Sequence, residues 1–296
     1  MIKRVLFRGR LLPWLLLAPQ LLVLLFFFFW PAGQAIVQAL FMVEPFSGEL
    51  QWVGLRNFEQ LLQSSAYRQA ILVTIVFCAA TAALAMFLGL FLAVLVDRVV
   101  RGRTVYRTLA IWPYAVAPAI AGALFLFLLD PAMGVLAFAL RQGLGLGWEP
   151  TLDATHAMIL VVLAAAWKHV AYNFVFFLAG LQAIPRVLIE AAALDGAGPW
   201  QRLLRVTLPL LSPTAFFLLV MNLVYAFFDT FGIVATTTEG GPGGATRILV
   251  FKVWEDGFVG LDLGSSAAQS VILMAIVVSS TVLQFRFLEK RVQYAA

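Results

Sequence analysis

The sequence predicts an all-α polytopic membrane protein with six transmembrane helices and cytoplasmic N- and C-termini. Three observations predict it. Of 296 residues, 62% are hydrophobic and only 12% charged, far from the one-quarter charged share of soluble domains. Apolar segments long enough for a bilayer recur near residues 11–30, 70–96, 109–129, 156–181, 208–235 and 265–287. Arginine and lysine concentrate on alternate loops. The chain 1–296 therefore reads as one transmembrane domain, with a core over about 70–287.

The first segment follows Lys3, Arg4, Arg8 and Arg10, so at a glance it resembles a signal peptide. Its apolar run, Leu11 to Trp30, is longer than the roughly 7 to 15 residues of a signal h-region, and Gly33-Gln34-Ala35 is a poor cleavage site. A retained span closed near Pro31 is expected. From Ala32 to Gln69 the chain turns polar, with Glu44, Glu49, Glu59 and the turn-like Ser47-Gly48, which predicts a folded loop outside the bilayer. Within it, Trp52 to Phe58 reads as a surface stretch in which Asn57 caps a short helix.

Span two, about 70–96, leads to a short loop with Arg98, Arg101, Arg103 and Arg107. Span three, about 109–129, contains Pro113 and Pro118, which remove backbone donors and should kink or break it. The segment from Asp130 to Thr155, with Gly143, Gly145 and Gly147, reads as a loop with a flexible turn. It lacks the strand and helix context of a dinucleotide site. Span four is about 156–181 and span five about 208–235. The glycine-rich loop around Pro242 precedes span six at about 265–287.

Orientation follows from the basic residues. With the N-terminus inside, 14 of them face the cytoplasm, and only Arg56, Arg68, Arg141, Arg247 and Lys252 face outward. Loop 182–207, carrying Arg186, Arg202 and Arg205, is then cytoplasmic. This placement also accounts for the net charge of +5 without a nucleic-acid partner, since no basic domain is interleaved with aromatics. Cys78, the only cysteine, falls inside an apolar span, and neither His156 nor His169 has metal-binding or paired-carboxylate company. The expectation is no catalytic residue, no metal and no cofactor bound by this chain.

Ionisable groups in a span are expensive and need a partner or water. Lys168 and Tyr172 are four apart in span four, as are His169 and Asn173. Asn222, Tyr225 and Asp229 follow at steps of three and four in span five. Two polar faces point to a shared aqueous interior. One reading makes Lys168, Tyr172, Asn173, Asn222, Tyr225 and Asp229 a substrate pathway in which Lys168 holds an anionic or hydroxyl-rich ligand. The other makes them structural, with Lys168 paired to Asp229 and His169 a neutral interhelical hydrogen-bonder.

The loop 182–207 and the entry to span five carry a second pattern. Glu190, Ala191 and Ala192 are helix formers with small side chains, Gly196 can turn the chain, and Pro199 suits a second short helix. Leu208-Pro209 follows Val206 at the entry to span five. Helix, turn, helix is expected.

This pattern resembles the EAA loop of ATP-binding-cassette importer permeases, with Val206 where that family usually has Ile. Trp112 to Pro118, Trp167-Lys168 with Tyr172-Asn173-Phe174, Ile189 to Pro199, Asn222 to Phe231 and Ser265 to Ser270 extend the resemblance over nearly the whole chain. It is closest to the A-type permease subunits of sn-glycerol-3-phosphate importers. The resemblance implies a type I importer permease fold in a bacterial inner membrane, with Glu190, Ala191, Ala192, Gly196, Leu208 and Pro209 coupling it to an ATPase. It implies a second six-span permease, two copies of a cytoplasmic ATP-binding subunit that uses ATP and Mg, and a periplasmic or lipid-anchored substrate-binding protein. The implied cargo is sn-glycerol-3-phosphate, with related glycerophosphodiesters. The chain has no Gly-x-x-x-x-Gly-Lys-Ser/Thr loop, so ATP would be hydrolysed in a separate subunit. The alternatives are a sugar or oligosaccharide carried by the same class and, more remotely, an ion-coupled secondary transporter. The latter often shows related repeats, and none is evident here.

Overall fold

The computed structural model describes residues 11–43, 49–97, 102–145 and 147–288. Lys3, Arg4, Arg8, Arg10, Arg98, Arg101, Lys290 and Arg291, which weigh in the orientation expectation, lie outside the described residues, as do Glu44, Ser47 and Gly48. The chain is mostly helical. In order it forms α1 (Leu11–Leu24), α2 (Trp30–Gln38), β1 (Phe41–Val43), β2 (Leu50–Trp52), α3 (Arg56–Gln63), α4 (Ser65–Asp97), α5 (Arg103–Ile111), α6 (Pro118–Leu128) and α7 (Val135–Leu144). It continues with α8 (Ala154–Ala183), α9 (Arg186–Leu194), α10 (Pro199–Arg202), α11 (Leu208–Leu210), α12 (Ser212–Phe228), α13 (Phe231–Thr237), α14 (Leu249–Trp254) and α15 (Leu263–Leu283).

By length and composition four helices can cross a membrane, Leu12–Gln38, Ser65–Asp97, Ala154–Ala183 and Leu263–Arg286. Six result if each of two bent pairs is one span: Thr104–Ala115 with Pro118–Leu128, bent by 103°, and Pro199–Leu210 with Ser212–Phe228, bent by 67°. The helices outrun the apolar segments that announced them, because backbone hydrogen bonding continues past the last apolar side chain. The first helix passes through Pro31 to Gln38. A π-helical turn over Leu25–Phe29 widens the ladder where the proline has no N–H to give.

Two compact units form. One comprises residues up to Gln63 together with Val253–Ile272. Here β1 and β2 pair antiparallel, Phe41 opposite Trp52 with their rings edge to face at 5.1 Å. Asn57 does not cap α3. It lies inside the helix, buried, and its amide donates to the carbonyls of Ala39 and Phe41, both at 2.9 Å, tying α3 to the strand before it. Elsewhere in this unit, the Ser266 hydroxyl donates to the Val253 carbonyl at 2.8 Å, and the buried Gln269 amide donates to Asp256 and Ser265.

The other unit holds Ser64–Lys252 and the segment from Leu273. Its core is α4 against α8, joined by α12. On α4 the buried Cys78, Ala82, Ala85, Gly89, Ala93 and Val96 fall at steps of three and four, a stripe of small residues that lets two backbones approach closely. At the closest point a Cβ on Gly89 would sit 2.4 Å from the Asn173 Cβ. Phe174, Phe177 and Leu178 of α8 and Leu218 of α12 fill the space around Ala93 and Val96. The Leu249 N–H donates to the Thr74 hydroxyl at 2.8 Å, fastening the start of α14 to α4.

Expected span three is broken, as its two prolines lead one to expect. A 3-10 turn, Trp112–Ala115, ends α5. Val116 and Ala117 are extended, as residues near a proline tend to be, and Pro118 starts α6. The loop from Asp130 to Thr155 is no simple flexible turn. It contains α7, which stops at Gly145 with φ +65°, and it is pinned by the Trp148 indole donating to the Leu129 carbonyl at 2.8 Å. Asp153 then caps α8, accepting from the N–H groups of Thr155 and His156 at 2.8 and 2.9 Å. Those donors, His156 first, hold its carboxyl below the usual range. Expected span five is also divided: the chain turns at Leu211, α12 ends at Phe228, and α13 is separate.

Candidate functional site

The break between α5 and α6 and the end of α12 both open onto one cavity of about 470 Å³. Tyr114 and the backbone turn through Pro118 form one wall. Lys168, His169 and Tyr172 of α8 form another, and Met221, Val224, Tyr225 and Asp229 a third. Asp229 reaches it because it is the first residue past α12, where the helix stops.

Lys168 is half-buried, and its ammonium lies 5.4 Å from the centroid of the Tyr114 ring, within reach of a cation–π attraction. Among the described residues no ion pair joins Lys168 to Asp229, although both line the cavity. The aromatic rings form a continuous stack. Tyr114 lies 6.3 Å from Tyr172, Tyr172 lies 5.1 Å from His169, and His169 is parallel to Tyr225 at 3.9 Å. The Tyr225 hydroxyl donates to the Ala165 carbonyl at 3.1 Å, locking the end of the stack to α8.

Of the six residues read as a pathway, the structure brings Lys168, Tyr172, Tyr225 and Asp229 to the cavity. Asn173 and Asn222 face each other instead. Both are fully buried, and their amides exchange hydrogen bonds of 3.1 and 2.7 Å between α8 and α12. Their second N–H groups return to the carbonyls of His169 and Leu218, one turn back on each helix. No donor is left for a ligand. Spacing along one helix could not separate these roles, because residues one position apart on α8 point toward different neighbours. Tyr114 was missed as a lining residue. The signal was the pair of flanking prolines, which turn the backbone of Trp112–Ala115 inward.

The segment after α8 forms helix, turn, helix. Helix α9 carries Glu190, Ala191 and Ala192, and it ends in a Schellman turn: Ala197 N–H donates to the Ala192 carbonyl at 3.0 Å and Gly196 N–H to Ala193 at 3.1 Å. Gly196 has φ +83°, the left-handed conformation this turn requires. Pro199 opens α10, where the Gly198 N–H donates to the Gln201 side chain at 3.1 Å. A π-helical turn, Leu203–Thr207, leads to Leu208 and Pro209 in α11, and the Ser212 hydroxyl donates back to the Pro209 carbonyl at 2.6 Å.

This segment lies over the ends of α4 and α8, with Ile189, Pro199 and Leu203 facing Val94, Asp97 and Leu181 around a hollow of about 330 Å³. Part of its exposed surface is apolar, beside the exposed Arg186, Glu190 and Asp195. Val187, Ala191 and Leu194 share a face at i, i+4 and i+7, and Leu194 and Trp200 are 90% and 75% exposed. The composition of 182–207 drew attention to small and turn-forming residues, and the large exposed ones beside them went unmarked.

A family profile described as "Binding-protein-dependent transport system inner membrane component" matches residues 85–294. The chain is similar to the "sn-glycerol-3-phosphate transport system permease protein UgpA" of Rhizobium meliloti (strain 1021), 58% identical over 292 residues covering 99% of each chain. The protein of the same name from Brucella abortus biovar 1 (strain 9-941) is 57% identical over 293 residues, covering 99% of this chain and all of that one. The one from Yersinia pestis is 51% identical, covering 96% of each. Among solved structures, a chain of a bacterial alginate ABC transporter in complex with an alginate pentasaccharide-bound periplasmic protein superposes with a TM-score of 0.82. It is 20% identical and covers 97% of this chain and 96% of that one. A chain of the MetNI methionine ABC transporter gives 0.54 at 15% identity, covering 77% of this chain and 97% of that one. These likenesses show the same fold.

Proposed function

Because this chain belongs to the family of binding-protein-dependent transport system inner membrane components, we propose that it is a permease subunit of an ATP-driven importer of sn-glycerol-3-phosphate. The observation that carries the substrate is identity above 50% along almost the full chain with permeases named for that compound. The cavity suits it chemically: Lys168 offers a positive charge that is in ion-pair contact with no carboxylate among the described residues, and the tyrosines around it offer ring faces and hydroxyls.

In this reading the chain carries no catalytic group and binds no cofactor, and a second permease completes the pathway. Two copies of a cytoplasmic subunit hydrolyse ATP, and a periplasmic or lipid-anchored protein delivers the substrate. Helix α9 is the coupling element. The apolar part of its exposed surface, Val187, Leu194 and the neighbouring Trp200, docks on the ATPase, while Glu190, Ala191 and Ala192 let the two surfaces meet closely. The Gly196 turn fixes the angle between α9 and α10, and Leu208-Pro209 passes movement into α12. Helix α8 links the two sites as one rigid rod. From Leu181, above the coupling segment, to Lys168 the helical rise is roughly 20 Å, so displacement of one end moves the cavity wall at the other. The cytoplasmic placement of both termini and of α9 belongs to the same proposal and rests on the distribution of basic residues.

The test is uptake of radiolabelled sn-glycerol-3-phosphate into proteoliposomes holding this chain with its partner permease, ATPase and binding protein, with and without enclosed ATP. ATP-dependent uptake is expected. Uptake of an oligosaccharide instead would move the substrate to the sugar class, and uptake without ATP would overturn the importer reading.

A further inference from the structure

Tyr114 belongs to the 3-10 turn that precedes the break in the α5–α6 pair, and it holds the Lys168 ammonium over its ring at 5.4 Å. Its position is reinforced on both sides: Trp112, two residues earlier, meets Trp167 of α8 edge to face at 6.2 Å, and Tyr114 itself stacks on Tyr172. Asp229 lines the same cavity and its charge reaches Lys168 across it, and Lys168 has a long flexible stem, yet the two do not meet in an ion-pair contact. The physical difference between these two neighbours matters for an anion. A ring face attracts an ammonium without cancelling its charge. A carboxylate in contact would cancel most of it.

We propose that Tyr114 is a positioning residue that keeps Lys168 apart from Asp229 and thereby available to a phosphate group. The inference rests on the reading of this cavity as the path of sn-glycerol-3-phosphate. Because Tyr114 sits at a backbone break, the arrangement exists only while the Trp112–Ala115 turn lies against α8. Anion affinity is therefore tied to the position of that turn.

The experiment is equilibrium binding of radiolabelled sn-glycerol-3-phosphate to the assembled permease–ATPase complex without the binding protein, whose own affinity would mask the cavity. Tyr114→Leu is expected to weaken binding about fivefold. Tyr114→Phe, which keeps the ring face, stays near wild type. Adding Asp229→Asn to Tyr114→Leu recovers most of the loss, because the competing carboxylate is gone, and in a Lys168→Met background Tyr114→Leu has no further effect. Tyr114→Met serves as the second apolar variant should Tyr114→Leu fail to assemble. Equal losses in Tyr114→Phe and Tyr114→Leu, or a Tyr114→Leu loss that persists undiminished without Lys168, would overturn the inference while leaving the substrate reading intact. If the wild-type complex binds no sn-glycerol-3-phosphate, the reading of this cavity as its path fails and takes the role of Tyr114 with it; if Lys168→Met binds it as well as wild type, the substrate reading stands and the roles of Lys168 and Tyr114 are both overturned.

Discussion

Asn173 and Asn222 close a reciprocal amide pair between α8 and α12, at 3.1 and 2.7 Å, with neither side chain exposed. Each also donates to its own helix one turn back, so all four amide hydrogens are used. Truncating one partner strands the other in an apolar interior. Asn173→Ala and Asn222→Ala are each expected to lower stability by about 1–2 kcal/mol, and the double variant by less than their sum. Thermal unfolding of the purified complex measures this. Additive losses would show that the two amides act independently.

Gly89 is a site of contact. A Cβ there would meet the Asn173 Cβ at 2.4 Å and the Phe174 backbone nitrogen at 3.0 Å, so α4 and α8 would have to separate. Gly89→Ala is expected to destabilise by about 1–3 kcal/mol through overpacking, and Gly89→Leu to prevent assembly. The yield of folded complex after detergent extraction reports both, and wild-type yield of Gly89→Leu would refute the close approach.

Gly196 is the opposite case. Nothing lies within 4 Å of a Cβ placed there, and its constraint is conformational, φ +83°. Gly196→Ala is expected to cost about 1–2 kcal/mol in the turn, while Gly196→Asn, which tolerates the left-handed region, costs less. The ratio of transport to ATP hydrolysis should fall in the order glycine, asparagine, alanine. An unchanged ratio in Gly196→Ala would argue that the turn angle does not transmit movement.

The apolar part of the exposed surface of the α9–α10 segment predicts that Leu194→Asp and Trp200→Ser lose the ATPase subunit on co-purification while the permease keeps its thermal midpoint. Both side chains are largely exposed and contribute little to this chain's own packing. Retention of the ATPase by the double variant would place the docking surface elsewhere.

Much of the architecture was legible because lipid leaves the backbone few options. Apolar runs near 20 residues must be helical there, whereas the packing stripe of Cys78, Ala82, Ala85, Gly89 and Ala93 went unread until burial showed it. The proline pair 113 and 118 foretold the break in span three, and Gly196 with Pro199 foretold the helix–turn–helix. Other features were hidden. Helix α7 lay behind a row of glycines, and span five looked continuous because its apolar composition does not change at Leu211 or Asp229.

What the sequence by itself determined is the class of protein: helices of bilayer length, two helices with polar faces, and a helix–turn–helix segment after the second of the long central spans. Hydropathy, periodicity and backbone chemistry are local properties, and a local reading recovers them. Only the tertiary structure decided which polar side chains face a cavity and which face each other. Asn173 and Lys168 sit on the same helix, five residues apart, yet one is spent on Asn222 and the other remains open beneath Tyr114. That choice depends on which neighbouring element each side chain meets. The meeting is set by the close approach at Gly89 and the breaks at Ala117 and Asp229, which periodicity along one helix does not encode.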